Sequence, residues 1–183
     1  NDQMLVVNKP SGIAVHGGSG LSFGLIEVLR SARPSAKFLE LVHRLDRDTS
    51  GVILVAKSNP SHLSLSNQFQ QRSIKKTYVA IVQGSPERDR DTIRAAICQH
   101  SRQREKMTIT ADETKGKHAE SFYEVEHRWS DYSQIKVFPK TGRTHQIRVH
   151  LAHAGLPILG DMLKKMVWQG CQQRIGSLSR VQS

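Results

Sequence analysis

The chain has 183 residues, of which 37% are hydrophobic, so it is long enough for one domain with a substantial core and does not resemble a disordered chain. It has two widely separated cysteines without a CxxC motif and no apolar run near the ~20 residues that span a bilayer, so we expect a cytoplasmic protein without a disulfide scaffold, a cysteine-rich zinc site or a membrane partner. Its 27 Lys and Arg against 16 Asp and Glu give a formal net charge of +11, which favours a nucleic-acid partner over a basic protein without one.

The first part of the chain is predicted to contain two strands and two helices. Leu5–Val7 is a short strand signal that is closed by the turn residues 8–12. Leu21–Ala32 carries apolar residues at helical spacing. The unbroken apolar run Val52–Ala56 predicts a central strand buried on both faces, and Asn59–Gln71 is predicted to be a helix that begins with Asn-Pro.

A strand is also predicted at Lys76–Gly84, where Tyr78, Ala80 and Val82 share one face. Tyr78 follows the paired lysines Lys75-Lys76. A tyrosine at such a position is either a core residue with a satisfied hydroxyl or part of a site, and the pattern does not separate these interpretations.

The remaining chain is predicted to be rich in strands and to end in a helix. Thr144 is predicted to cap that helix, which carries Ile147 and Leu151 on its buried side and ends at Gly155. Neighbouring strands without regular alternating helices indicate an α+β domain with a mixed or antiparallel sheet. The predicted strands are Thr92–Ile97, Lys106–Thr110, His118–Trp129 and Gln134–Phe138.

Two carboxylates lie in the polar turn before the apolar run, between Arg44 and Arg47. An aspartate with cationic neighbours at the end of a rigid strand stays ionised, which makes Asp46 a candidate catalytic residue, with a turn role as the alternative. Asp48 begins Asp-Thr-Ser-Gly, which is ordinary turn chemistry. A glycosidase is disfavoured because acids two residues apart in a tight turn do not easily flank one bond.

The histidines do not predict a metal site. His145, His150 and His153 are spaced so that they do not gather on one helical face, and no HExxH motif is present. His43 and His145 could form an acid/base pair in a nuclease that cleaves phosphodiester bonds, but a structural role is more common for each of them.

Four blocks of the sequence resemble, in order and spacing, the RluA-type family of pseudouridine synthases. The block at 43–51 is similar to the HRLDxxTSG signature of that family, and the resemblance extends over residues 4–161. Residues 14–24 are most similar to the RluC branch, which acts on uridines of bacterial large-subunit ribosomal RNA. The four blocks are NKPSG at 8–12, HRLDRDTSG at 43–51, KTYVAIVQG at 76–84 and GRTHQIRVH at 142–150.

This resemblance implies an α+β catalytic domain over residues 1–161, with a mixed, largely antiparallel sheet and helices and loops around a central cleft. Residues 162–183 match no part of the family, and the S4 RNA-binding domain that the branch normally carries upstream is not expected. The implied reaction converts uridine to its C-glycoside isomer within RNA, without cofactor or metal. We expect a monomer whose partner is RNA.

The resemblance also implies roles for individual residues. Asp46 matches the catalytic aspartate, Tyr78 the tyrosine that packs on the target base, and Arg148 the basic residue paired with the aspartate. Arg44 matches the arginine that displaces or replaces the flipped base. The other residues expected to contact RNA are His43, Lys75, Lys76, Arg143 and His145.

The chemistry accepts these roles but leaves alternatives open. A carboxylate can attack C1′, or it can remove the 2′ proton to give a glycal, and the sequence does not choose between the two routes. A flat aromatic ring and an intruding arginine suit a base that must leave its stack. The alternative functions are a non-catalytic module for ribosomal-RNA binding or ribosome assembly on the same scaffold, and a histidine-based nuclease.

Overall fold

The computed structural model describes residues 2–17, 23–103, 106–112 and 114–161. The backbone divides into two compact units, the first ending at Ile74 and the second beginning at Lys75. The prediction for residues 162–183 lies outside the described residues. Within those ranges, no helix has the length and apolar character needed to cross a bilayer.

The first unit is built on a three-stranded antiparallel sheet. Its strands are β1 (Met4–Lys9), β2 (Glu40–Leu41) and β3 (Gly51–Ala56), and β3 lies between the other two, as predicted for a central strand. The prediction that β3 is buried on both faces is wrong at Val52, which is 58% exposed. Alternate residues of a strand face opposite sides, and the side carrying Ile53 and Val55 is the fully buried one.

The first helix is shorter than the sequence predicts. Helix α1 spans Leu25–Ser31 and is capped by Gly24, whose backbone is extended. A Cβ at Gly24 would lie 2.4 Å from the backbone carbon of His16, so the close approach of that segment requires glycine. The Glu27 carboxylate accepts hydrogen bonds from the amides of Gly24 and Gly17, at 2.9 and 3.2 Å, and thereby secures the start of the helix.

The second helix confirms its prediction almost to the residue. Helix α2 spans Asn59–Gln70, and the hydroxyl of the preceding Ser58 accepts a hydrogen bond from the amide of Ser61 at 3.3 Å. This is the usual way for a serine to satisfy a free amide at a helix start. Helix α2 packs against β3.

The second unit contains a four-stranded and a two-stranded sheet, and every strand pairing among the described residues is antiparallel. The predicted strand Thr92–Ile97 is in fact two strands, because the chain changes its pairing partner at Ala95. The strands are β4 (Tyr78–Gln83), β5 (Arg90–Arg94), β6 (Ala96–Gln99), β7 (Met107–Thr110), β8 (Glu120–Arg128) and β9 (Tyr132–Pro139), and the large sheet has the order β4-β9-β8-β5. The predicted α+β class is confirmed.

The main core of the second unit lies between this sheet and helix α3 (Gln146–His153). Ala80 and Val82 are buried in it, whereas Val79 on the other face of β4 is 60% exposed, which confirms the predicted alternation. Tyr78 is partly buried against the same cluster. The buried members are Ala80, Val82, Tyr123, Ile135, Val137, Leu151 and Leu156.

Candidate active site

The candidate catalytic carboxylate lies in a turn immediately before β3. Asp46 is half-buried, and its carbonyl accepts a hydrogen bond from the amide of Thr49 at 3.1 Å. Gly51 then begins β3 with a φ of 134°, a conformation that other residues rarely adopt. Asp48 is exposed and pairs with the neighbouring Arg47 at 3.2 Å, as expected for a turn residue.

The turn is supported by a buried lysine that the sequence does not single out. Lys9 at the end of β1 is fully buried, and its ammonium donates hydrogen bonds to the carbonyls of Pro10 at 2.9 Å, Ile13 at 2.8 Å and Arg47 at 2.8 Å. Burial lowers the pKa of Lys9 below the ordinary lysine value, while the carboxylates of the Asp46–Thr49 turn act in the opposite direction. The ammonium therefore joins the end of β1 to this turn.

Two more bonds connect the same segments. The hydroxyl of Ser11 donates to the carbonyl of Asp48 at 2.7 Å, and the amide of Gly12 donates to the carbonyl of Arg47 at 2.9 Å. Gly12 has a φ of 89°, which brings its amide to that carbonyl without the strain that a side chain would add. The turn signal at 8–12 was correct, but only the fold shows that this segment braces the turn of Asp46.

His43 has a structural role within the first unit. Its Nε2 accepts a hydrogen bond from the amide of Leu54 at 2.9 Å, so its proton lies on Nδ1. The ring stacks on Phe69 of α2 with centroids 4.5 Å apart. Arg44, the next residue, is exposed.

In the second unit, Tyr78 begins β4 and is paired in register with Val137 of β9. Lys75 is exposed and Lys76 is half-buried. The Nζ of Lys76 lies 3.7 Å from the position that a Cβ on Gly142 would occupy. Lys76 therefore approaches the loop that leads into α3, where further predicted site residues lie.

That loop is organised by a buried glutamine. The Oε1 of Gln146 accepts hydrogen bonds from the hydroxyl of Thr141 at 2.7 Å and from the amide of Arg143 at 3.0 Å. Its Nε2 donates to the carbonyl of Glu120 and to the hydroxyl of Ser121, both at 2.9 Å. All polar atoms of the amide are used, so Gln146 holds the loop to β8 in one arrangement.

The same loop corrects the predicted start of α3. Thr144 is not the cap: the cap is His145, whose φ of 55° is left-handed and non-helical, so the helix begins at Gln146. A non-glycine residue in this region is strained, and such strain occurs preferentially at functional sites. The Nε of Arg143 donates to the carbonyl of His118 at 3.0 Å, which anchors the other end of the loop. The helix ends at His153, two residues before the predicted Gly155.

His150 completes the buried polar network on the inner side of α3. It is fully buried, its Nδ1 lies 3.0 Å from the hydroxyl of Ser121, and its Nε2 lies 3.1 Å from the carbonyl of Ala95. Because a carbonyl only accepts, Nε2 carries the proton and Nδ1 accepts from the serine. Burial lowers the pKa of His150 below its ordinary value, and this effect outweighs the bond to Ala95.

This arrangement predicts that the second unit loses stability in mild acid. Below a pH of about 6.5 the unfolded chain protonates His150 while the folded chain does not. The free energy of unfolding therefore decreases as the pH is lowered, by up to about 1.4 kcal/mol per pH unit from this group. His150→Gln lacks this proton uptake and should show a shallower decline between pH 7.5 and 5.5 in chemical denaturation. The exposed His127→Gln, at a histidine of the same unit that is not among the groups acting on His150, is the control and should keep the wild-type slope. Equal slopes for all three proteins would contradict the prediction.

Arg148 lies on α3 and forms a two-bond ion pair with Asp161. Its Nε donates to Oδ2 at 2.8 Å and its Nη2 to Oδ1 at 2.6 Å. The two side chains are only 18% and 10% exposed. Asp161 was not selected from the sequence, although it lies at the end of the region that resembles the family.

The predicted site residues thus belong to two sets. The first unit carries Asp46, His43 and Arg44, and the second brings Lys76 close to the loop before α3, which also carries Arg143 and His145. In the part of the chain that the structure describes, no three histidine, cysteine or acidic side chains form a group that could hold a metal.

Comparison with known proteins gives a consistent result. A family model described as RNA pseudouridylate synthase matches residues 3–153. The chain is 50% identical over 161 residues to the ribosomal large subunit pseudouridine synthase C of Yersinia pestis and 48% identical over 161 residues to that of Escherichia coli, covering 88% of this chain and 50% of each relative.

A solved structure is also similar. Human RNA Pseudouridylate Synthase Domain Containing 1 has a TM-score of 0.76 at 29% identity, covering 88% of this chain and 66% of that chain. The chain spans about half the length of the curated relatives that it matches.

Proposed function

Because the chain belongs to the RNA pseudouridylate synthase family, we propose that it isomerises uridine to pseudouridine in RNA, with large-subunit ribosomal RNA as the substrate. The observation that carries the proposal is the braced turn that presents Asp46 within the HRLDRDTSG block. The names of the relatives from Yersinia pestis and Escherichia coli support the ribosomal substrate. The net charge of +11 suits a polyanionic RNA.

In the proposed reaction, Asp46 acts first. Its carboxylate either attacks C1′ of the target nucleotide or removes the 2′ proton to form a glycal, and either step accompanies cleavage of the N1–C1′ bond. The detached uracil turns so that C5 faces C1′. As the C5–C1′ bond forms, the ester bond between Asp46 and C1′ breaks or, in the glycal route, the Asp46 carboxyl returns its proton to C2′, and C5 then loses its own proton. The released proton balances the one that N1 takes up, so no redox partner is required.

Other residues bind and orient the nucleotide in this proposal. Tyr78 packs on the uracil, and Arg148 takes the role of the basic residue that the family pairs with its catalytic aspartate. Arg44, which is exposed, occupies the space left by the flipped base. The residues proposed to contact the surrounding RNA are His43, Lys75, Lys76, Arg143 and His145.

The proposal also includes the organisation of the protein. Residues 1–161 act as the catalytic part, and the protein works as a monomer in the cytoplasm. The absence of a CxxC motif among the two cysteines and the ribosomal target named for the relatives support the location.

The direct test is tritium release from ribosomal RNA labelled at C5 of uridine, measured with the intact protein. Release with intact RNA length is the expected result. A module that only binds RNA or assists ribosome assembly would bind the RNA without release, and a nuclease would shorten it.

A second prediction concerns the hydroxyl of Tyr78. Tyr78→Phe keeps the ring that stacks on the base but loses a group that transfers a proton near C5, so it should bind RNA normally and react about a hundredfold more slowly. Tyr78→Ala should in addition lose roughly 1–3 kcal/mol of base stacking. Tyr123→Phe, which removes a hydroxyl from a buried core tyrosine, is the matched control and should react at the wild-type rate. A wild-type reaction rate for folded Tyr78→Phe would contradict this prediction and show that Tyr78 serves only as a core residue.

A further inference from the structure

The ion pair between Arg148 and Asp161 is built in a way that fixes the arginine. The carboxylate contacts the Nε–Nη2 side of the guanidinium with two short bonds, which defines the plane of the group as well as its position. An arginine has five N–H donors, and this fork uses one on each of two nitrogens. The fork therefore fixes the guanidinium on one side, and its other N–H donors lie outside the contact with Asp161.

The segment that carries Asp161 is itself tied to β4. The amide of Gln83 donates to the carbonyl of Pro157 at 2.9 Å, and the amide of Leu159 donates to the carbonyl of Ile81 at 2.8 Å. A turn follows, in which the amide of Asp161 donates to the carbonyl of Ile158 at 3.2 Å. Asp161 thus stands on a segment anchored to the strand that begins with Tyr78.

Arg148, the partner of Asp161, lies on a helix that is also firmly packed. Arg148 lies on α3 between residues packed in the unit, since the adjacent Val149 is 1% exposed and Leu151 is fully buried. The ion pair therefore links α3 to β4 through two groups that have little freedom of their own.

We propose that Asp161 is a positioning residue of the reaction, which holds the Arg148 guanidinium in a single orientation within the second unit. The inference rests on the proposed function, because it assigns a role to a residue through Arg148. Stability alone is a weak reason for this pair, since apolar residues often replace a buried ion pair without loss of stability. Geometric control is what a two-bond fork adds.

A double-mutant cycle tests the proposal in the intact protein with ribosomal RNA. The four proteins are the wild type, Asp161→Asn, Arg148→Ala and the double variant, and the measurements are the single-turnover rate at saturating RNA and the Kd for RNA. Asp161→Asn should slow the rate by about a hundredfold, the size expected for a misplaced catalytic group, and leave Kd within about threefold. In the Arg148→Ala background, Asp161→Asn should slow the rate no further.

Two additional variants separate positioning from folding. Asp161→Glu keeps the carboxylate and should recover part of the rate. Leu156→Ala removes a buried side chain from the same segment, so it should lower stability but keep the wild-type rate in the folded fraction.

The outcomes are distinct. A wild-type rate for Asp161→Asn, or rate losses that multiply in the double variant, would overturn the positioning role and leave the proposed function intact. Absence of isomerisation by the wild type would overturn both. Equal rate losses for Leu156→Ala and Asp161→Asn at equal stability would show that Asp161 acts only through folding.

Discussion

Asp46→Asn is expected to abolish pseudouridine formation while folding and RNA binding stay close to those of the wild type. Asparagine has nearly the same size as aspartate but is neither a nucleophile nor a base, so both routes open to the carboxylate are lost. The bonds that form the turn are made by the backbone carbonyl of Asp46 and by neighbouring residues, so the substitution leaves them in place. Tritium release under single-turnover conditions measures the effect.

Asp48→Asn is the matched control, because Asp48 lies in the same turn. Its exposed side chain pairs with the exposed Arg47, and exposed pairs contribute at most about 1 kcal/mol. We expect Asp48→Asn to retain most of the activity. A wild-type rate of isomerisation by Asp46→Asn would contradict the proposal that the reaction requires the Asp46 carboxylate.

Lys9→Met is expected to cause a large loss of stability in the first unit. Methionine has about the length of the aliphatic part of lysine but leaves the carbonyls of Pro10, Ile13 and Arg47 without the ammonium that now binds them. Each lost bond costs about 1 kcal/mol net, so the free energy of unfolding should fall by about 3 kcal/mol. Chemical denaturation measures this loss, and the amide of Gly12, which is bonded to Arg47, should exchange faster with solvent.

The control for this substitution is Lys37→Met, which makes the same change at an exposed lysine. A surface substitution of this kind should change stability by less than about 0.5 kcal/mol. Because the turn of Asp46 loses a brace, folded Lys9→Met should also isomerise about tenfold more slowly, a modest case of misplacing a catalytic group. Unchanged stability and unchanged rate would show that Lys9 does not brace the turn.

The fold was predictable where the signal is local. The central strand over the apolar run before Lys57, the alternation around Ala80 and the Asn-Pro helix start each depend on neighbouring residues, and each was confirmed, although that strand is not buried on both faces at Val52. The errors arose where a distant segment decides the outcome. Thr92–Ile97 divides because its two halves pair with different strands, and α1 begins late because the backbone of His16 lies against Gly24.

The candidate site shows the same division. Asp46, Tyr78 and Arg148 lie in short sequence blocks with fixed spacing. Such blocks can be recognised from the sequence alone. The residues that support such a site follow no spacing: Lys9 binds a carbonyl 38 residues away, His150 one 55 residues away, and Arg148 a carboxylate 13 residues away. Periodicity reports which side of a helix or strand is apolar, but a buried polar group is satisfied by whatever donor or acceptor the packing brings to it. The identity of Lys9, Gln146 and Asp161 as supporting residues therefore emerges only from the folded chain.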